Sequence, residues 1–255
     1  MRPLTGLATA AADLLFPPEC LLCQRSLLFE PNTAKATPNF RDFCPACLAE
    51  LTADLLRCAR CGASAALLDD GVCDGCLRAA PPWQRLVVLA GYGDLAREAV
   101  VRAKRPAGEP IGMALGRRLG ALVQSRLPAV RLDLVVPVPM HWRRRALRGT
   151  SSAGVIASAT AGSLGVRNRR LLRRIRATSM QNTLPPEQRP ANVTGAFQAL
   201  SAVRGQRVLV VDDVITTGAT LAACTQALLA AGAQDVYVSA VAKAERTTLV
   251  AADGS

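Results

Sequence analysis

Four cysteine pairs, each with two residues between its members, crowd the first third of this 255-residue chain: Cys20/Cys23, Cys44/Cys47, Cys58/Cys61 and Cys73/Cys76. Two intervening residues let both thiolates of a tight turn face one tetrahedral Zn²⁺, about 2.3 Å from each sulfur. Eight such ligands complete two four-cysteine sites, which predicts two structural zinc ions. Sequential pairing, first with second and third with fourth, gives ribbons with loops of 20 and 11 residues; a cross-braced pairing is the alternative. Disulfides would suit a small secreted domain, and a redox-active site needs one pair after a strand rather than four in series. Four sulfur ligands leave no open position for water, so no catalytic role attaches to these sites. Metal binding would supply much of the segment's folding free energy, since it has little else from which to build a core.

The rest of the composition separates the chain into two parts. Half of its residues are hydrophobic, which excludes global disorder, but only 4% are aromatic, so the core must be Ala, Val and Leu. Residues 1–85 carry 8 Lys+Arg against 9 Asp+Glu, whereas residues 86–255 carry 23 against 10. The second part is therefore where an anionic partner should bind. No apolar run approaches the roughly 18–20 residues that would cross a bilayer, so no membrane insertion is expected. With Leu4, Leu7, Leu14 and Leu15, the start reads as a short helix packing on the cysteine module rather than as a signal peptide, which places the protein in the cytoplasm.

The prolines of "AAPPW", Ala79 to Trp83, disfavour continued helix or strand and set a boundary between a cysteine module (1–80) and a second domain (81–255). Beyond it, "RLVVLAGYG" reads as a strand, and "DLAREAVVRAKR" and "EPIGMALGRRLGALVQSRL" as helices. "LDLVVPVPM" is a buried strand broken by Pro137 and Pro139, and "SAGVIASATAGSLG" a small-residue helix. "RGQRVLVVDD" is a second buried strand, followed by the helix "TLAACTQALLAAGA", which Gly232 ends, and the strand "DVYVSAVAKA". Alternation of strand and helix predicts an α/β fold with a parallel sheet and helices on its faces.

In such sheets ligands sit outside the carboxyl ends of strands. There the sequence "QRVLVVDDVITTGATL" places Asp212 and Asp213, then Thr216, Thr217, Gly218, Ala219 and Thr220. Backbone N–H groups at the start of the following helix, with the threonine hydroxyls, form an anion cradle. The two carboxylates suit sugar hydroxyls, or a Mg²⁺ shared with a diphosphate. A strand end with an acidic helix cap is the plainer reading of the same residues.

Val208 to Thr220 resembles the thirteen-residue signature of type I phosphoribosyltransferases, with no departure from it. That resemblance implies an acid pair on the ribose hydroxyls of phosphoribosyl pyrophosphate, a loop from Thr216 to Thr220 around its 5′-phosphate, and Mg²⁺ bridging ribose and pyrophosphate. It further implies that the turn from Pro137 through Pro139 to Met140 faces the pyrophosphate and that Lys104 neutralises it. Together with the cysteine pairs, "VPVPMHWRRRALRG" and "TSMQNTLPPEQRPANVTGAF" extend the likeness over nearly the whole chain to the ComF family of competence proteins. Thr178, Gln181, Leu184, Arg189, Asn192 and Phe197 fall as in that family's usual pattern. One departure stands out: after Arg148-Gly149 the family continues Phe-Asn-Gln, and this chain has Thr150, Ser151 and Ser152.

Ten arginines and no acid lie between Arg143 and Arg176. Arg143, Arg144, Arg145 and Arg148 form one cluster; Arg167, Arg169, Arg170, Arg173, Arg174 and Arg176 form another. Arginine forks phosphate oxygens bidentately, so the clusters suit pyrophosphate or a nucleic-acid backbone; a solvated basic face is the plainer alternative. Trp142 is the only aromatic platform nearby, which favours sequence-tolerant, electrostatic binding. His141 reads as a polar structural residue beside the turn, and Cys224 as a small core residue. The ComF resemblance implies a protein of DNA uptake that binds phosphoribosyl pyrophosphate with Mg²⁺ and holds single-stranded DNA on its arginine face. An active phosphoribosyltransferase acting on an unidentified base is the alternative, and no residue is assigned to catalysis. In a third reading the zinc module docks a helicase or recombination partner.

Overall fold

The structure is a computed structural model that describes residues 17–27, 42–52, 56–64, 71–140, 151–175 and 195–244. The chain falls into two compact units, Met1–Ala53 and Asp54–Ser255. In the first unit, helix α1 (Pro45–Thr52) follows a turn carrying Cys20 and Cys23. Cys20, Leu22, Phe43, Cys44, Cys47 and Leu51 are its buried apolar residues among those described. Half of that small core is thiol, as expected of a segment whose interior is built around metal. The N-terminal helix expected over residues 4–15 lies outside the described residues.

The second unit opens with the remaining two cysteine pairs and helix α2 (Asp74–Arg78), then enters the sheet. Strands β1 (Leu86–Gly91), β2 (Leu134–Pro137), β3 (Arg167–Asn168), β6 (Arg207–Ile215) and β7 (Asp235–Lys243) pair in the order β1-β7-β6-β2-β3. Every pairing is parallel, as the alternation of elements predicts. The two central strands, β6 and β7, read as near-continuous aliphatic runs because both of their faces are covered. Val208 and Val210 pack with Val236 and Val238 beneath Leu221, Cys224 and Leu228 of helix α6 (Ala219–Ala230). Leu209 and Val211, equally buried, turn to the opposite face. There helices α3 (Asp94–Ala103), α4 (Glu109–Arg126) and α5 (Ser152–Leu164) pack.

Local chemistry accounts for these elements. Helix α3 buries Ala96, Ala99, Val100 and Ala103, a single stripe at helical spacing, and starts with Asp94 at its positive end. Helix α4 carries Pro110 in its first turn, where the missing N–H costs nothing. Ser151 caps α5 by accepting from the Gly154 N–H at 3.3 Å. Helices α4 and α5 approach closely at the glycines of α4: a Cβ on Gly116 would lie 2.4 Å from the Ile156 carbonyl oxygen, and one on Gly120 2.6 Å from Ser163 Cβ. The small-residue sequence of α5 serves this close approach.

Three features depart from the sequence expectation or extend it. Strand β6 does not end at the acid pair but continues to Ile215, because Val214 and Ile215 still pair with Ala242 and Lys243 of β7 and Ile215 is buried. Strand β2 stops at Pro137, yet Val138 N still donates to Val211 O at 2.9 Å, so the turn after it stays tied to β6. A two-stranded antiparallel ribbon, β4 (Leu172–Arg174) with β5 (Phe197–Ala199), packs on α6 and was not legible in the sequence.

Candidate functional site

The eight paired cysteines gather as Cys20, Cys23, Cys44 and Cys47 in one group and Cys58, Cys61, Cys73 and Cys76 in the other, so the sequential pairing holds and the cross-braced one does not. Within each group the sulfurs lie within 4.8 Å of one another. Cys23 Sγ and Cys44 Sγ are 3.6 Å apart, and Cys61 Sγ and Cys73 Sγ 3.7 Å. A tetrahedron with sulfurs 2.3 Å from its centre has edges of about 3.8 Å, so these separations fit zinc and are far beyond a disulfide's length of about 2.05 Å. Burial alone would raise the Cys58 thiol, but N–H donors of Cys61, Cys73 and Arg60 outweigh it and bring the thiol down to about 6. In the first group the same opposition brings Cys20 to about 7. Backbone amides thus prepare one thiolate in each group to receive a cation.

At the carboxyl end of β6 the alternation of the strand sends the acid pair to opposite faces. Asp213 points to the α5 side, where Ser152 Oγ donates to its Oδ2 at 2.6 Å and Lys104 Nζ stands 3.3 Å from the same oxygen. Lys104, the C-cap residue of α3, therefore stands beside the acid pair. Asp212 points to the α6 side, toward buried Cys224, and accepts from the Asp213 N–H at 2.8 Å through Oδ1. Burial, then the charge of Asp213, pushes the Asp212 carboxyl up to about 7 against the pull of that amide and of Lys104. In the metal-free protein this carboxyl is protonated in the fold at pH values where it is ionised in the unfolded chain. Folding stability is therefore unpenalised below about pH 4 and falls as pH rises to about 7, where the penalty is complete. Asp212→Asn is expected to melt above the wild type at pH 8 and level with it at pH 4, as scanning calorimetry would record.

The loop that follows reaches α6 through Gly218, the N-cap residue, which holds φ +81°. Thr217 Oγ1 accepts from Ala219 N at 3.4 Å. Thr216 and Thr220 are half-buried, Thr217 is exposed and Gly218 is buried against Trp83. Across the site, Pro139 and Met140 are half-buried beyond the end of β2.

Two partners of this site were not anticipated. Buried Lys243, at the end of β7, donates from Nζ to Thr216 O at 2.7 Å and to Ala244 O at 2.8 Å, stapling the loop from below. Ser152 lies where the ComF pattern carries glutamine, so the one departure from that pattern is also a contact of the acid pair. Its position in the sequence marked it, but only the packing of α5 shows what it touches.

Of the arginines, Arg167, Arg169, Arg170 and Arg173 are exposed, and Arg173 Nη2 donates to Gln198 Oε1 at 3.3 Å. Arg174 instead lies over the Phe197 ring, 5.5 Å from its centroid. Cys224 is fully buried, as expected of a small core residue. His141, Trp142, Arg143, Arg144, Arg145, Arg148 and Arg176 lie outside the described residues, as do Thr178, Gln181, Leu184, Arg189 and Asn192. No helix among the described residues is long and apolar enough to cross a membrane.

A phosphoribosyl transferase domain model matches residues 150–252, and a double zinc ribbon domain model matches residues 11–77. The chain is 32% identical over 229 residues to the DNA utilization protein YhgH of Salmonella typhimurium, covering 88% of this chain and 96% of that protein. It is 28% identical over 180 residues to Competence protein F of Haemophilus influenzae, covering 68% and 78%. Among solved structures it is similar to the glutamine phosphoribosylpyrophosphate amidotransferase of B. subtilis, at 25% identity and a TM-score of 0.38, over 56% of this chain and 30% of that one. The double zinc ribbon match agrees with the geometry of the two four-cysteine groups as zinc-binding sites, and the chain belongs to the ComF family, in which a double zinc ribbon precedes a phosphoribosyltransferase domain.

Proposed function

We propose that the protein binds phosphoribosyl pyrophosphate with Mg²⁺ at the carboxyl end of β6, and that it serves DNA utilization by holding single-stranded DNA on its arginine-rich face. The observation that carries the first part is the ion pair of Lys104 with Asp213, next to Asp212 on the strand that runs into the loop and the α6 start at Gly218. Carboxylates suit the two ribose hydroxyls, the amides of the loop and helix start suit the 5′-phosphate, and Lys104 suits the pyrophosphate. Mg²⁺, held by the ligand's oxygens and this acid pair, would neutralise the charge that crowds there. The second part is supported by the exposed Arg167, Arg169, Arg170 and Arg173, by Arg143, Arg144, Arg145 and Arg148 in the sequence, and by relatives named for DNA utilization and competence.

Isothermal titration with phosphoribosyl pyrophosphate and Mg²⁺ tests the first part. The wild type is expected to bind, and Asp212→Asn with Asp213→Asn to lose at least tenfold in affinity. Equal binding by the double variant removes the sugar-phosphate assignment. Steady release of pyrophosphate on adding nucleobases would make the protein an active transferase. For DNA, log K should fall linearly with log salt, by about 0.7 per phosphate neutralised. Affinity that ignores salt, or that survives neutral replacements of Arg143, Arg144 and Arg145, overturns the electrostatic part.

A further inference from the structure

Trp83 stands between two parts of the second unit that share no ligand residue. It is 3% exposed, and its indole Nε1 donates to the Arg60 carbonyl oxygen at 2.7 Å. Arg60 lies inside the Cys58–Cys61 turn of the second four-cysteine group. That turn is pinned to the segment carrying the indole. The Arg60 guanidinium donates to Pro81 O and Gln84 O, each at 2.9 Å, and Leu86 N donates to Ala59 O at 2.8 Å. At its far edge the six-membered ring lies against Gly218, where a Cβ would sit 3.0 Å from Cη2. The indole shares a core cluster with Ile215 and Leu221, the apolar residues that flank the loop on either side.

Each contact constrains something specific. Gly218 has a left-handed backbone, and its direction sets where the amides at the start of α6 point. A buried indole N–H needs its acceptor, and here that acceptor is a backbone carbonyl of a metal-binding turn. When the turn loosens, the carbonyl leaves, the ring loses its fixed orientation and Gly218 loses the surface behind it. We propose that Trp83 is a positioning residue that ties the geometry of the 216–220 loop to the metal-bound state of the second four-cysteine group. Zinc there tightens sugar-phosphate binding at a site to which those cysteines give no ligand, and by reciprocity a bound sugar phosphate tightens that zinc by the same factor. This inference rests on the sugar-phosphate reading of the loop.

Trp83→Phe keeps a ring in place and deletes the N–H donor; Cys58→Ser with Cys61→Ser removes the metal-binding turn. Hydrogen exchange of peptides spanning residues 214–222 is compared with that of β7, without ligand. Both variants are expected to exchange several-fold faster at 216–220; β7 is unchanged in Trp83→Phe and rises by less than the loop in the double serine variant, because β1, which the turn covers, pairs with β7. Titration with phosphoribosyl pyrophosphate and Mg²⁺ should show a fivefold to tenfold weaker Kd for Trp83→Phe. The chain has two tryptophans, so Trp83 is the sole reporter in a Trp142→Phe background, and its emission should shift to the red as a chelator removes zinc. Saturating ligand should raise several-fold the chelator concentration at which that shift is half complete. Exchange at 216–220 that matches the wild type, or that rises equally in β7, overturns the coupling. If the wild type binds no phosphoribosyl pyrophosphate, the sugar-phosphate reading fails, and the exchange comparison, which needs no ligand, still decides the role of Trp83.

Discussion

Removing zinc from the second four-cysteine group is expected to lower the melting temperature of the sheet unit by about 6–12 °C. Strand β1 is an edge strand, and edge strands are stable when something covers them. The cover is the Cys58–Cys61 turn: Leu86 N donates to Ala59 O, and a Cβ on Gly62 would sit 2.8 Å from Leu86 Cδ2 and 3.2 Å from Val88 Cγ2. Leu86, Val88 and Trp83 are buried beneath it. Burying one such side chain is worth about 1.5–3 kcal/mol, and partial exposure of three costs about 3 kcal/mol. In a unit of this size each kcal/mol moves the melting temperature by about 2–4 °C. The measurement is calorimetry before and after chelation, with metal analysis expected to find two zincs per chain beforehand. A sheet unit whose melting ignores chelation would show that the turn holds its shape without metal.

Gly116→Ala is expected to destabilise the sheet unit by about 1–3 kcal/mol, the usual cost of overpacking, despite the roughly 1 kcal/mol that alanine gains over glycine inside a helix. The added Cβ would lie 2.4 Å from the Ile156 carbonyl oxygen, and that oxygen belongs to a helix backbone that cannot yield alone. Helix α5 must move outward, which also strains the 3.0 Å bond from Thr160 Oγ1 to Gly116 O. One turn away, Gly112→Ala meets only Val155 Cγ1 at 3.1 Å, the end of a side chain, and should come within about 0.5 kcal/mol of neutral. Urea unfolding of the two variants makes the comparison internal. Because Ser152 rides on the first turn of α5, Gly116→Ala should also weaken phosphoribosyl pyrophosphate binding, whereas Gly112→Ala should not.

Much of the architecture was legible because it is local. Val208 to Val211 are four aliphatics in a row with polar flanks, so β6 announces itself, and Ala96, Ala99, Val100 and Ala103 mark one face of α3. The acids and the glycine of the loop lie within seven residues, and each does its work through backbone or strand alternation that spacing already encodes. The end of β6 was less legible. Paired carboxylates read as a strand stop, but Ser152 and Lys104 satisfy Asp213, and β7 continues alongside, so pairing persists to Ile215. The β4–β5 ribbon escaped notice because strands of three residues carry too little periodicity to read.

The residues alone determined the eight cysteine ligands, the parallel α/β plan and the loop built around Gly218, since each depends on spacing within a few positions. Tertiary structure decided which cysteine pairs share a site, because Cys23 and Cys44 are brought to 3.6 Å by the path of the turns between them. It also decided that Lys104 and Ser152, 109 and 61 residues before Asp213, both reach one carboxylate oxygen. No spacing rule spans such distances. Sheet order sets them: β6 lies between β7 and β2, so α3 and α5 converge over its end. The same order brings Lys243 under Thr216, and the fold of the second cysteine turn onto β1 sets Trp83 against Gly218.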